Sequence, residues 1–351
     1  MSGSSFRITA NMITLVRIAM VPIPSGMLLT GDPLWVWIAF FISAVLGATD
    51  AIDGYLARRD GITVLGTLLD PLADKLFTAA FMLPIVALSH GPAALIAAIF
   101  AREFLITGLR SSMALHSAQL KTSRLGKLKT VVQMGGLAVY VILFFSPAGW
   151  ELWLHGLGLA GLLVAALVFA VRGSSIPYWL WSAFPMWGGV AGLSLWSGQE
   201  NASTGLFGIM VVLTWLSGVD YLLGSARTFR HDGLQFRDGM RIIWGLTHGI
   251  APVLAIGLQP ALVVPAMLGM SLNLALGGVD NIVSAEKSEG VKRGFWESTL
   301  CAWALVFCAS PLSAIGGQAA VGVAWLYVGV SAICAGLAYR NHRALFTGTL
   351  P

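Results

Sequence analysis

The acidic residues of this chain gather in a way that suits chemistry on a charged substrate. Asp50 and Asp53 stand three apart in Asp50-Ala51-Ile52-Asp53-Gly54-Tyr55-Leu56-Ala57-Arg58-Arg59, and Asp70 and Asp74 stand four apart in Asp70-Pro71-Leu72-Ala73-Asp74-Lys75. On a helix both spacings fall on one face, so each pair presents its carboxylates together. The link between them, Arg59 to Val64, is short, which predicts antiparallel neighbouring helices and acids that converge on one pocket. Carboxylates so placed repel, and some would neutralise unless something positive joins them. Two divalent cations that prefer oxygen, Mg²⁺ or Mn²⁺, answer that need. A pair of ions also suits transfer at phosphorus, where it clamps the attacking and leaving oxygens. Gly54 leaves room for a bulky ligand to approach the backbone, and Arg58, one turn on, has the fork to hold a phosphate. Ion pairs with Arg58, Arg59 and Lys75 would use the same residues for packing alone. Two facing pairs with a Gly and an Arg at turn spacing speak for a ligand.

The elements that must position these acids are membrane helices. The chain has 351 residues, 57% hydrophobic and only 11% charged, against roughly 25% charged in a soluble protein. Its apolar runs are about 20 residues long, the length of a spanning helix, without the alternation of a barrel strand. The expected class is an all-α polytopic integral membrane protein with about twelve spans: 12–30, 34–57, 65–88, 91–113, 128–146, 152–171, 177–197, 205–226, 240–257, 260–280, 294–311 and 318–339. With the N-terminus in the cytoplasm, the outer loops hold no Lys or Arg, whereas Arg58, Arg59, Lys121, Arg124, Arg172, Arg227, Arg230, Arg237, Lys287, Lys292, Arg293, Arg340 and Arg343 fall inside. This positive-inside pattern fixes orientation and an even helix count. The net charge of +5 therefore reports topology and not a nucleic-acid partner.

The first ~10 residues lack the apolar core of a cleavable signal, so the first span is expected to be retained. Cys301, Cys308 and Cys334 sit in spans without metal-ligand spacing, and read as packing residues. His90, His116, His155, His231, His248 and His342 are scattered singly. A basic stretch, Ala226–Arg241, places a boundary near residue 230, giving a domain of 1–230 and an additional membrane domain of 231–351 with about four helices.

The run from Asp50 to Asp74 resembles the signature of the CDP-alcohol phosphotransferases, D-x₂-D-G-x₂-A-R…G-x₃-D-x₃-D, at every specified residue. Seven residues separate Arg58 from Gly66, where that family usually has eight or nine, which implies a tighter turn. Further stretches resemble its bacterial phosphatidylglycerophosphate synthase branch: Asn11-Met12-Ile13-Thr14-Leu15-Val16-Arg17, Arg102-Glu103 with Thr107-Gly108-Leu109-Arg110, Ser123 to Gln133, and Leu216-Ser217-Gly218-Val219-Asp220-Tyr221. The resemblance covers residues 5–146 and 205–228, about half the chain. It implies a six-helix core, with 147–204 as a two-helix insertion.

By the same resemblance Asp50, Asp53 and Asp70 are metal ligands, with Asp74 possible as a fourth, and Gly54, Ala57 and Arg58 hold the CDP moiety. Asp74 is the expected general base, with Asp70 also catalytic. The implied reaction joins the phosphatidyl group of CDP-diacylglycerol to glycerol 3-phosphate, with CMP leaving. Arg110, Lys127 and Lys129 gather at the cytoplasmic side and suit the acceptor phosphate, although residues two apart do not share a helix face. Arg102 lies mid-span and needs a partner, either Glu103 of a neighbouring subunit or one of the acids. A homodimer in the bacterial inner membrane, with its site facing the cytoplasm, completes the expectation. A cardiolipin synthase of the same type would use a lipid acceptor, against which the basic cluster counts. A twelve-helix transporter would place its site nearer mid-membrane. In the C-terminal region, Gly277-Gly278-Val279-Asp280-Asn281 is expected to begin a polar loop, with Glu297 just inside the next span; Asp238, Asp280 and Arg241 could bind a lipid headgroup but read better as interfacial and loop residues.

Overall fold

The structure, a computed structural model, describes residues 9–61, 63–118, 125–146, 150–173, 178–287, 291, 294–310 and 316–347. Within these the chain forms helices and no strand: α1 Ala10–Met20, α2 Pro22–Leu28, α3 Pro33–Asp60, α4 Val64–Ala87, α5 Ala93–Leu115, α6 Leu125–Phe145, α7 Glu151–Val171, α8 Tyr178–Ser197, α9 Gln199–Leu216, α10 Val219–Asp232, α11 Phe236–Leu258, α12 Val263–Lys287, α13 Phe295–Ala309 and α14 Gly316–His342. Seven described segments are long and apolar enough to cross a membrane, Ala10–Leu28 (α1 with α2) and Glu200–Asp232 (α9 with α10) among them. With each of those pairs taken as one interrupted crossing, the helices fill the twelve expected segments. Trp153, Leu157, Leu163, Val164, Leu167 and Val171 all point outward from α7, a face that suits lipid and not water. The chain is an all-α polytopic membrane protein.

Two helices depart from a plain apolar span. α4 carries Asp70, Asp74 and Lys75, and α5 carries Arg102, Glu103 and Arg110. Both are heavily enclosed: Thr78 to Val86 of α4 is buried without a break, as is Ile99 to Leu109 of α5. Of these charges Arg102 and Glu103 fall inside the buried stretch of α5, where protein gives them the partners that lipid would deny them.

Local chemistry sets the helix ends near the acids. Asp32 caps α3, accepting from the amides of Leu34 at 2.9 Å and Trp35 at 3.3 Å, with Pro33 in the first helical position, where its missing N–H costs nothing. α3 runs past Arg58 and Arg59 to Asp60, and Gly61 ends it at φ 95°. Thr63 then caps α4, accepting from the Gly66 amide at 3.0 Å, while Asn11 donates to the Thr63 hydroxyl at 2.9 Å. The turn is tight, as its length implied.

The expectation that α3 and α4 are direct neighbours needs correction. α1 packs on both, and among the described residues α3 and α4 make no substantial contact with each other. A short loop fixes only where two helices begin and end.

The C-terminal helices do not stand apart from the rest. α11 lies along α5, and α12 packs on both α4 and α5, with α13 and α14 closing over α11 and α12. The approach of α11 to α5 depends on glycine: a Cβ at Gly245 would sit 2.8 Å from the Leu105 Cα, and one at Gly249 would strike the Ala101 backbone. Gly277 to Asn281 is not a loop, since α12 runs on through it to Lys287. Asp280 and Arg241 are fully buried in a bidentate pair, Nε to Oδ2 at 2.7 Å and Nη2 to Oδ1 at 2.9 Å. Asp238 closes a capping box with Gln235 at the start of α11 and meets His116 Nε2 at 3.0 Å. Glu297 accepts from the Gly294 amide at 3.0 Å and caps α13. Asp238, Arg241 and Asp280 are therefore buried contacts and not loop or interfacial side chains, because polar groups at that depth need protein partners.

Candidate active site

The four aspartates meet around one guanidinium. Arg17, on α1 and almost wholly buried, reaches Asp50 Oδ1 with Nη1 at 2.5 Å and Asp53 Oδ2 with Nη2 at 3.3 Å. Its Nη1 also stands 4.0 Å from Asp74 Oδ1. One turn earlier on the same helix, the Thr14 hydroxyl lies 3.1 Å from Asp53 Oδ2 and 3.4 Å from Asp70 Oδ1. Asp53 is buried, whereas Asp50, Asp70 and Asp74 are exposed at the mouth of the site. α3 and α4 thus supply the carboxylates, and α1 supplies the groups that hold them in an arc.

Three cavities and a groove surround this arc. One of about 190 Å³ is lined by Asn11, Ala57, Thr63, Gly66 and Asp70. A Cβ built on Gly54 would be 3.6 Å from Arg58 Nη1, so this arginine lies back along its own helix over the glycine. On the other side a cavity of about 180 Å³ is lined by Asp74, Lys75, Arg102, Glu103, Arg110 and Lys129, among others. A third, of about 290 Å³, shares Lys75, Thr107 and Arg110 with it and extends to α12. Towards the apolar middle of the bundle a groove of about 400 Å³ runs between α3, α4 and α6, past Phe40, Gly47, Phe77 and Met134.

The N-terminal half of the chain is similar to known enzymes. The family model for CDP-alcohol phosphatidyltransferase matches residues 7–171. The CDP-diacylglycerol–glycerol-3-phosphate 3-phosphatidyltransferase of Rickettsia bellii is 32% identical over 166 residues, 47% of this chain and 91% of that protein. The enzyme of the same name from Bacillus subtilis is 34% identical over 40% of this chain and 91% of its own length. That of Pseudomonas fluorescens is 38% identical over 44% of this chain and 80% of its own length. The chain belongs to the CDP-alcohol phosphatidyltransferase family. No solved structure matches it.

A member of this family is a transferase, and the family generally uses divalent metals. The donor set here fits such ions by type, since four carboxylates offer only hard oxygen ligands. Among the described residues, however, no three acid, imidazole or thiolate groups stand close enough together to enclose an ion. Arg17 and Thr14 hold the acids apart. Arg17 Nη2 and Nε make no hydrogen bond, so the guanidinium balances the carboxylate charge without completing a closed bonding network.

The basic residues of this phosphatidyltransferase are paired more fully than expected. Lys129 Nζ lies 2.6 Å from Glu103 Oε1, and Arg102 Nη1 lies 3.1 Å from the same oxygen. The partner of Arg102 is therefore Glu103 of its own chain, helped by Ser217 Oγ at 2.9 Å, and neither a neighbouring subunit nor an aspartate. Ser217 reaches it because α9 stops at Leu216. Lys75 donates to the Thr107 hydroxyl. Arg110 is exposed, donating to Tyr221 Oη at 3.1 Å and resting over that ring. The Lys127 side chain, Lys121 and Arg124 lie outside the described residues.

Sequence reasoning missed Arg17 and Thr14 as site residues and Glu103 as the hub of the basic cluster. A signal was there. Arg17 is the lone charge in α1, and a charge at membrane depth costs at least ~2.5–3.5 kcal/mol unless it is partnered. Its partners had to be acids.

Proposed function

We propose that this enzyme transfers the phosphatidyl group of CDP-diacylglycerol to sn-glycerol 3-phosphate, giving phosphatidylglycerol phosphate and CMP. The observation that carries the proposal is the position of Asp74. Its carboxylate belongs to the arc around Arg17 and also lines the basic cavity of Lys75, Arg102, Glu103, Arg110 and Lys129. It stands where a donor held by the aspartates and an anionic acceptor would meet. The names of the relatives supply the two substrates.

In this reading the CDP group lies beside Gly54, Ala57 and Arg58, in the cavity bounded by Asn11, Thr63 and Asp70. The acyl chains follow the apolar groove past Gly47, Phe77 and Met134. Asp50, Asp53 and Asp70, with Asp74, would hold two divalent ions, Mg²⁺ or Mn²⁺. Those ions would supply charge neutralisation at the diphosphate. Asp74 takes the proton from the 1-hydroxyl of glycerol 3-phosphate. The hydroxyl oxygen then bonds to the phosphorus that carries diacylglycerol, the bond from that phosphorus to the CMP oxygen breaks, and CMP leaves with the electron pair. The acceptor phosphate is held by Arg110, with Lys129 and Lys127 nearby. Positioning and charge do most of the work, as in phosphoryl transfer generally. The site faces the cytoplasm, where the soluble acceptor is found.

The test is a transfer assay on the purified protein with CDP-diacylglycerol and Mg²⁺ or Mn²⁺, following CMP release. Release with glycerol 3-phosphate, absent with phosphatidylglycerol, inositol phosphate or serine, and lost in Asp70→Asn, is the expected result. Release with another acceptor would move the enzyme to a sister activity, and release with none would sink the reading.

A further inference from the structure

We propose that the C-terminal region is part of the acceptor site: α12 forms its outer wall, and Asn281 donates to the acceptor's phosphate. This deepens the function proposed above and rests on it. The cavity of about 290 Å³ has two kinds of wall. Lys75, Thr107 and Arg110 come from α4 and α5, and the same three side chains line the cavity that holds Asp74. Leu274, Gly278, Asn281, Ile282 and Ala285 come from α12. The space beside the reacting group thus continues to a helix outside the stretch matched by the family model.

The sequence makes that contact possible at two adjacent glycines. A Cβ at Gly277 would sit 3.0 Å from Thr107 Cγ2, and one at Gly278 would strike the Leu68 side chain. A larger residue at either position would have to displace a neighbour, Trp244 of α11 and Thr107 of α5 at Gly277 and Leu68 of α4 at Gly278. The buried Arg241–Asp280 pair and the Val291 amide, which donates to Asp280 Oδ1 at 2.8 Å, fix the turn of α12 next to these glycines. Asn281 is then oriented by α5, because the Ser111 hydroxyl donates to its Oδ1 at 2.7 Å. That leaves the Nδ2 amide, a donor of two hydrogens with no hydrogen-bond partner among the described residues, beside the cavity. An amide donor opposite a lysine and an arginine is a site for an oxyanion.

The experiment uses the full-length enzyme in detergent, with Michaelis constants for glycerol 3-phosphate and for CDP-diacylglycerol measured separately. Losing one hydrogen bond to a charged group should raise the glycerol 3-phosphate constant about tenfold in Asn281→Ala. Asn281→Asp, which adds a repelling charge, should raise it further. In both variants the CDP-diacylglycerol constant should stay within about twofold of wild type, and Asn281→Asp, which keeps an acceptor for the Ser111 hydroxyl, should retain more thermal stability than Asn281→Ala. Unchanged acceptor constants, or a joint fall in all parameters with stability, would overturn the inference and leave Asn281 a strut between helices. Failure of the underlying reading shows earlier, as wild-type enzyme that does not use glycerol 3-phosphate at all.

Discussion

Two acid–arginine clusters hold this molecule together, and they are built differently. In the C-terminal region Arg241 and Asp280 form a closed bidentate pair, both fully buried, with a backbone amide completing the carboxylate. At the N-terminal end one buried arginine faces several aspartates, three of them exposed, and two of its nitrogens make no hydrogen bond. The first arrangement is finished, with geometry that leaves no room for a ligand. The second carries excess negative charge at an opening. Buried charges must be paired to be tolerated, but a surplus of one sign beside solvent is what draws a cation or a polar substrate. The contrast separates a strut from a site using the same two residue types.

Breaking the strut should have the largest effect. Arg241→Leu leaves Asp280 buried and uncompensated, which costs about 3–5 kcal/mol of stability. Thermal unfolding in detergent should show a large fall. Asp50→Ala removes a hydrogen bond of the buried Arg17 but leaves Asp53 and Asp74 to balance its charge, so it should cost less, about 1.5–3 kcal/mol. Equal losses from the two changes would erase the distinction drawn here.

A smaller effect sharpens the view of the site. If the aspartates take divalent ions, Mn²⁺ should raise the unfolding temperature of the wild type, by the equivalent of about 2.7 kcal/mol at a hundredfold excess over its Kd. Asp53→Asn should abolish the rise. Arg17→Gln should enlarge it, because an ion then replaces the lost guanidinium charge. A rise indifferent to both substitutions would place the ions elsewhere. Ser217→Ala, which removes one of two partners of the buried Arg102, should cost only about 1 kcal/mol in the same measurement.

How much was legible beforehand varied with distance along the chain. Asp50, Asp53, Asp70 and Asp74 were readable because each pair repeats at helical spacing, and that rule needs nothing beyond the helix itself. The short link from Arg58 to Gly66 was readable by count, seven residues where the resembling family has eight or nine. Arg17 as their common partner was not, since it is 33 residues from Asp50 and nothing local ties the two together. Lys129 reads in sequence as a free phosphate contact, but it pairs with Glu103, 26 residues away. Gly277-Gly278-Val279-Asp280-Asn281 reads as a loop because its residues favour turns. Packing reverses that preference: the glycines are where α12 must come close to Leu68 and Thr107, and Asp280 is where it meets Arg241.

By itself the sequence determined the medium, the helices and the acids. Apolar runs of spanning length dictate membrane helices, and i, i+3 and i, i+4 spacings dictate faces. Only the tertiary structure decided that α1 packs on both α3 and α4, that Glu103 gathers Arg102 and Lys129, and that α12 borders the space beside Asp74. The physical reason is range. Backbone hydrogen bonds and side-chain periodicity act over a few residues, whereas the choice of partner for a buried charge, or of neighbour for a glycine face, is made by everything the fold brings to that point.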